Sequence, residues 1–189
     1  MYDRLTRLNE VLPMVRAWVD TVRIQHAASL QPVASAGYPR LAQYFSDHLL
    51  QTARVSTVTR IPFPPIVDLG LIEFADIAQM GLSAITFDDM IFVHQSFNTE
   101  TVHFHELVHV VQWRTLGVDT FMLTYAVGVL QHGYAHAPLE AIAYDLQSQF
   151  NRGGSLGDVE ATIVAHAKET CAAVEEIFTR YGAKMGSST

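Results

Sequence analysis

The chain has 189 residues, of which 49% are apolar and only 16% are charged, so it can bury the core of one ordinary domain, 1–189, and is too apolar for a disordered chain. Its formal charge of −7 and its scattered basic residues argue against a nucleic-acid partner, because phosphate binding requires clustered Lys and Arg. The single cysteine, Cys171, excludes an internal disulfide and a cysteine-rich zinc site. Charges at the N-terminus, where a signal peptide would need an apolar core, lead us to expect a cytoplasmic location.

The N-terminal part, 1–80, is predicted to be mainly helical. Apolar residues recur at three- and four-residue spacings over 3–30, which predicts a long helix. A second helix is predicted at 39–53, after the Pro- and Gly-containing break QPVASAGYP. The stretch VSTVTRIPFPPI is too rich in proline for a central strand, so we expect ARVSTVTRI to pair at the edge of a sheet at most.

Residues 83–95, SAITFDDMIFVHQ, combine β-branched and aromatic side chains around two aspartates. This composition predicts a hairpin or a bent strand. Asp88 and Asp89 are expected to form a turn rather than a second metal site.

Four helices are predicted after this strand region. We place a metal-site region at 83–150 and a C-terminal helix, the last of the four, at 155–182. Cap residues and glycines give their bounds. The first helix has its N-cap at Asn98 or Thr99 and Gly117 past its end, and the second has its cap at Asp119 and ends at Gly133. The third has Pro138 in its first turn and ends near Gly153, and the fourth starts at Ser155 or Asp158 and ends at Gly182. The predicted fold class is α+β, mostly α, with a small sheet just before the first of these helices.

The window 120–139, TFMLTYAVGVLQHGYAHAPL, carries no Asp, Glu, Lys or Arg and approaches the length that spans a bilayer. It also contains Gly128, Gly133 and Pro138, and its apolar part ends near Leu130. We therefore expect a buried helix followed by a turn. Peripheral contact with a membrane stays open.

The motif HFHELVHVVQW, 103–113, carries the strongest functional signal. His105 and His109 are four residues apart, so they project from one helix face and can reach one metal ion. Glu106 completes the spacing H-E-x-x-H, which places a carboxylate beside the open position of the metal, where it can take a proton from water. His103 lies roughly 200° around the helix from His105, so we expect a structural or supporting part for it.

A catalytic zinc site needs a third protein ligand. Glu140, 31 residues after His109, is the best candidate, because a carboxylate among small and apolar neighbours is unusual for a solvated face. The helix dipole alone could also favour a glutamate in a first turn. His132 and His136 are the rival ligands.

A helix with H-E-x-x-H followed by a helical glutamate resembles the gluzincin zinc metallopeptidases, and ITFDDMIFV…HFHELVHVVQW resembles small bacterial gluzincin-like domains of uncharacterised function. The resemblance covers roughly residues 83 to 150. It implies a zincin-like fold, Zn²⁺ as the cofactor, His105, His109 and Glu140 as ligands, and Glu106 as the general base. Thermolysin-like members have an aspartate four residues after the glutamate ligand, where this chain has Tyr144.

Residues near Glu140 are candidates for supporting a ligand or stabilising a transition state. These candidates are Tyr134, His132, His136, Tyr144 and Asp145. Trp113 is expected in the core.

The motif favours a zinc-dependent hydrolase, expected to be a metallopeptidase acting on a peptide or protein. The alternative is a zinc-binding regulatory or interaction module without hydrolytic activity, and iron or another divalent ion at the same ligands is a third interpretation. A one-domain enzyme of this size lacks a second lobe, so we expect a narrow cleft or one covered by the N-terminal helices. The sequence does not indicate an oligomeric state.

Overall fold

Helices make up most of the structure, a computed structural model that describes residues 2–182 and 184–186. The α+β, mostly α fold class predicted from the sequence is confirmed. The helices are α1 (Tyr2–His26), α2 (Asp47–Thr52), α3 (Ala75–Gln79), α4 (Glu100–Leu116), α5 (Val118–His132), α6 (Pro138–Arg152) and α7 (Val159–Arg180). The strands are β1 (Gln31–Pro32), β2 (Arg54–Val58), β3 (Ala84–Phe87) and β4 (Met90–His94).

The four strands form one sheet in the order β1-β2-β4-β3. Strand β2 pairs with β1 on one side and lies parallel to β4 on the other. The expectation that this segment pairs only at the edge of a sheet is therefore wrong. The prolines explain the error, because Pro62, Pro64 and Pro65 all follow the last residue of β2 and leave its hydrogen-bonding ladder intact.

Strands β3 and β4 form the predicted hairpin, and Asp88 and Asp89 form its turn. Asp88 has a φ of 58°, a left-handed conformation that aspartate tolerates better than most residues. Arg23 of α1 pairs with both aspartates at 2.8 Å. These two ion pairs connect the C-terminal half of α1 to the hairpin.

The motif helix α4 has the predicted ends: the Thr99 side chain accepts a hydrogen bond from the backbone N–H of Val102, and Gly117 follows the last turn. It packs between the sheet on one side and α6 and α7 on the other. Every residue from His103 to Trp113 is consequently buried. Burial on all sides is typical of a helix at the centre of a domain.

The packing of helices α5 and α6 determines where Glu140 lies. Helix α5 begins directly after Gly117, so Asp119 lies in its first turn and pairs with Arg16 instead of acting as the predicted cap. A side chain at Gly128 would put its Cβ 3.1 Å from Pro138 Cδ, which is tighter than ordinary contact. Glycine therefore allows the start of α6 to approach α5 closely.

The remaining helix predictions are confirmed in part. The first helix ends at His26, and α7 is capped by Asp158 and ends at Arg180. The predicted helix over 39–53 is wrong as one element, because a 3₁₀ turn (Pro39–Gln43) and α2 are separated where Ser46 caps α2. Within the described part of the chain, no helix has both the length and the apolar character needed to cross a bilayer.

Candidate metal centre

Three buried side chains from α4 and α6 converge on one point. His105 Nε2 lies 3.1 Å from His109 Nε2, and the two nitrogens lie 3.4 and 3.5 Å from the two carboxylate oxygens of Glu140. Ligand atoms bound at ~2.0–2.1 Å to a tetrahedral ion are about 3.3–3.4 Å apart. The three groups thus form a cluster that could hold a metal ion.

The two oxygens of Glu140 have different surroundings. Oε1 accepts a hydrogen bond of 2.6 Å from the hydroxyl of Tyr125 on α5. Oε2 is buried and has no hydrogen-bond partner among the described residues. A buried carboxylate oxygen without a donor is costly. Oε2 is therefore suited to a cation between Glu140 and the two histidines.

His109 is oriented by a chain of two hydrogen bonds. The Gln112 amide nitrogen donates to the backbone carbonyl of Leu139 at 2.9 Å, so its amide oxygen faces His109 Nδ1 at 2.8 Å. That oxygen can only accept, which requires a proton on Nδ1. The lone pair of Nε2 is then available to a metal ion, as in ligand histidines held by a neighbouring acceptor.

The protein without an ion holds opposite charges in this cluster. Burial alone would lower the pKa of His109, but Glu140, together with Glu106 and Gln112, raises it to about 9. Burial would raise the pKa of Glu140, but the two histidines hold it well below its usual range. Glu140 is thus a carboxylate, the form that binds a metal ion.

His105 is held by packing. Its ring lies 4.7 Å from the ring of Tyr144, centroid to centroid, and its Nδ1 is buried without a hydrogen-bond partner among the described residues. Tyr144 thus contacts a candidate ligand. Asp145 is exposed and accepts a hydrogen bond from Gln149, and it does not belong to the cluster.

Glu106 lies beside the cluster and is held by the sheet. The hydroxyl of Thr86, on the edge strand β3, donates to Glu106 Oε2 at 2.7 Å. Both residues are buried, and both line a cavity that also reaches His109 and Glu140. A carboxylate fixed in this position can accept a proton from a molecule in the cavity.

The cavity has a volume of about 190 Å³ and extends from the cluster towards α1 and α5. Tyr134 lines it, and burial, followed by the charge of Glu140, raises the pKa of its hydroxyl, which therefore stays protonated. His132 and His136 are exposed, and neither belongs to the cluster. The structure therefore brings Glu140, and neither of the rival histidines, to the two histidines of the motif.

Two further residues of the motif helix have structural roles. His103 is buried, bonds the backbone carbonyl of Thr99 through Nδ1 at 2.9 Å, and packs on Tyr38, in line with the structural part expected for it. Trp113 is in the core and stacks on Phe121 at 4.0 Å between centroids, as predicted.

No protein-family model matches this chain, and no significant match was found among curated proteins or solved structures. The case for a function therefore comes from the residues and their arrangement.

Proposed function

We propose that this protein is a zinc-dependent hydrolase of the gluzincin type, with His105, His109 and Glu140 as the ligands and Glu106 as the general base. The observation that carries the proposal is the convergence of the three ligand side chains, whose facing nitrogen and oxygen atoms are 3.1–3.5 Å apart, beside a glutamate that lines a cavity. A cluster serving only to bind a structural ion would not need this additional carboxylate, held by Thr86 at the cavity wall.

Zinc is the ion that best suits this donor set. Two imidazole nitrogens and one carboxylate oxygen form the ligand set of several catalytic zinc sites, which keep one position open. The same set occurs in non-haem iron oxygenases. The H-E-x-x-H spacing favours zinc, because it places Glu106 beside the ligands as a base for hydrolysis.

When bound, zinc would polarise a carbonyl group and acidify water. Glu106 would accept a proton from the attacking water while the oxygen of that water bonds to the carbonyl carbon. Thr86 occupies one Glu106 oxygen and leaves the other for this proton. The proton would then pass to the leaving nitrogen or oxygen as the bond between that atom and the carbonyl carbon breaks. The products would be a carboxylic acid and an amine or alcohol.

Tyr134 would supply the second polar contact. Its hydroxyl stays protonated, since burial and the charge of Glu140 raise its pKa, and it lines the same cavity as Glu106. It would donate a hydrogen bond to the carbonyl oxygen as negative charge develops there.

The test is a Glu106→Gln variant compared with the native protein at equal zinc occupancy, on a library of amides, esters and peptides. Zinc binding should be retained, because Glu106 is not a ligand, and hydrolysis should fall by about 10²–10⁴-fold. Glu176→Gln, the same change at an exposed site on α7, is the control and should keep full activity.

Cleavage that is unchanged in Glu106→Gln would refute the proposed base. A zinc-loaded native protein that cleaves none of the compounds would refute the hydrolase and favour a zinc-binding module.

A further inference from the structure

We propose that the substrate of this site is an acyl compound with an apolar chain of about six to eight carbons, bound with its carbonyl at the metal cluster and its chain in the adjoining cavity. The inference rests on the proposed hydrolase and names its substrate class.

Most polar groups of the cavity belong to the candidate metal cluster or lie beside it. They are Thr86, Glu106, His109, Tyr125, Tyr134 and Glu140. Trp113 also lines the cavity and carries an indole N–H without a hydrogen-bond partner among the described residues. The other lining side chains are aliphatic or aromatic, and they come from α1, residues 63–82, β3, α4 and α5. A ligand that matches this wall has one polar head and an apolar body.

The cavity has room for a chain of moderate length. A cavity of about 150 Å³ holds benzene, which is roughly 25 Å³ for each carbon, so 190 Å³ accommodates about six to eight non-hydrogen atoms. By chemical formula a leucine side chain has only four such atoms and a phenylalanine side chain has seven. Size therefore excludes the smaller side chains, and the polarity of the wall has to separate an acyl chain from an aromatic side chain.

A peptide main chain suits this cavity poorly. Each residue carries a backbone N–H and C=O that must be paired when buried. The walls contributed by α1, such as Leu8, Val11 and Leu12, and by Phe63 and Phe74, offer apolar side chains to whatever enters. An alkyl chain has no polar groups to satisfy against them.

The proposal predicts a dependence of binding on chain length. Each buried methylene should tighten binding about fourfold, the factor equivalent to ~0.8 kcal/mol. The gain should stop once the cavity is full, at about eight carbons. The probes are straight-chain alkyl hydroxamates with two to fourteen carbons, measured by calorimetry with zinc-loaded and zinc-free protein.

The zinc-free protein separates this proposal from the proposed function. There the hydroxamates should bind more weakly, yet with the same increase per methylene, because the cavity walls do not depend on the ion. If the whole series binds equally well with and without zinc, the proposed metal site is refuted, whereas the proposed acyl cavity is not. Affinity that is independent of chain length would overturn the acyl proposal alone.

A filled cavity provides a second test. Ala126→Leu adds three carbons to the cavity lining on α5 and should weaken the eight-carbon hydroxamate at least tenfold while sparing the two-carbon one. Ala173→Leu, at an exposed position of α7, should change neither. If Ala126→Leu does not fold, the chain-length series on the native protein still decides. Tighter binding of a peptide hydroxamate with one apolar side chain than of the eight-carbon compound would overturn the proposal.

Discussion

Replacing Gln112 by leucine removes the two hydrogen bonds that connect His109 to the start of α6. Gln112 is fully buried, its oxygen lies 2.8 Å from His109 Nδ1, and its nitrogen donates to the carbonyl of Leu139 at 2.9 Å. Leucine has a similar size, so the packing is largely kept while the orientation of the imidazole is lost. Leu139 is also adjacent to Glu140, which makes Gln112 a connection between two candidate ligands.

The expected magnitude follows from these contacts. Removing a group that orients a metal-binding histidine typically lowers metal affinity 10–100-fold, or about 1.4–2.8 kcal/mol. The variant also leaves the His109 N–H buried without a partner, at a cost of about 1–3 kcal/mol in the free energy of unfolding, whereas the Leu139 carbonyl stays inside the first turn of α6 and keeps a helical acceptor position. The zinc-free variant should therefore be less stable as well as a weaker zinc binder.

The assay is competition for zinc against a chromophoric chelator, with urea unfolding of the zinc-free protein beside it. Gln149→Leu is the matched control, because that amide bonds Asp145 away from the cluster, and its zinc affinity should be unchanged. Gln112→Glu retains an oxygen for His109 and should recover most of the zinc affinity lost in Gln112→Leu. Zinc affinity of Gln112→Leu within twofold of the native value would refute the proposed orientation of His109.

Three further predictions address the ligands and their support. His105→Ala should lose most of its zinc after dialysis, measured by mass spectrometry, whereas His132→Ala should keep a full equivalent; equal zinc contents would contradict the ligand assignment. Removing zinc with a chelator should lower Tm by about 5–10 °C, since a ligand at a hundred times its Kd contributes ~2.7 kcal/mol; an unchanged Tm in zinc-loaded protein would argue against a buried site. Tyr125→Phe removes the donor to Glu140 Oε1 and should weaken zinc binding about tenfold, whereas Tyr44→Phe, which removes a hydroxyl bonded elsewhere, should leave it unchanged.

The local features of the site could be predicted from the sequence. His105, Glu106 and His109 share one helix, and the caps at Thr99 and Gly117 that define this helix are local signals. The support of His109 by Gln112 was also within reach, because residues three apart on a helix are neighbours. Gln112 was not among the candidates because supporting residues were sought only near Glu140.

The contacts between elements could not be predicted in the same way. Thr86 reaches Glu106 because β3 lies against α4, and Tyr125 reaches Glu140 because α5 approaches the start of α6. Neither threonine in a strand nor tyrosine in an apolar helix is distinctive by itself. The central position of β2 was missed for a related reason: strand order depends on pairing between distant segments, which the prolines after β2 do not reveal.

The most direct measurement of the metal centre is anomalous diffraction at the zinc absorption edge from crystals of the zinc-loaded protein. We expect one peak at ~2.0–2.2 Å from His105 Nε2, His109 Nε2 and a carboxylate oxygen of Glu140. A peak at another position, or none between these three side chains, would contradict the central claim that they bind one ion.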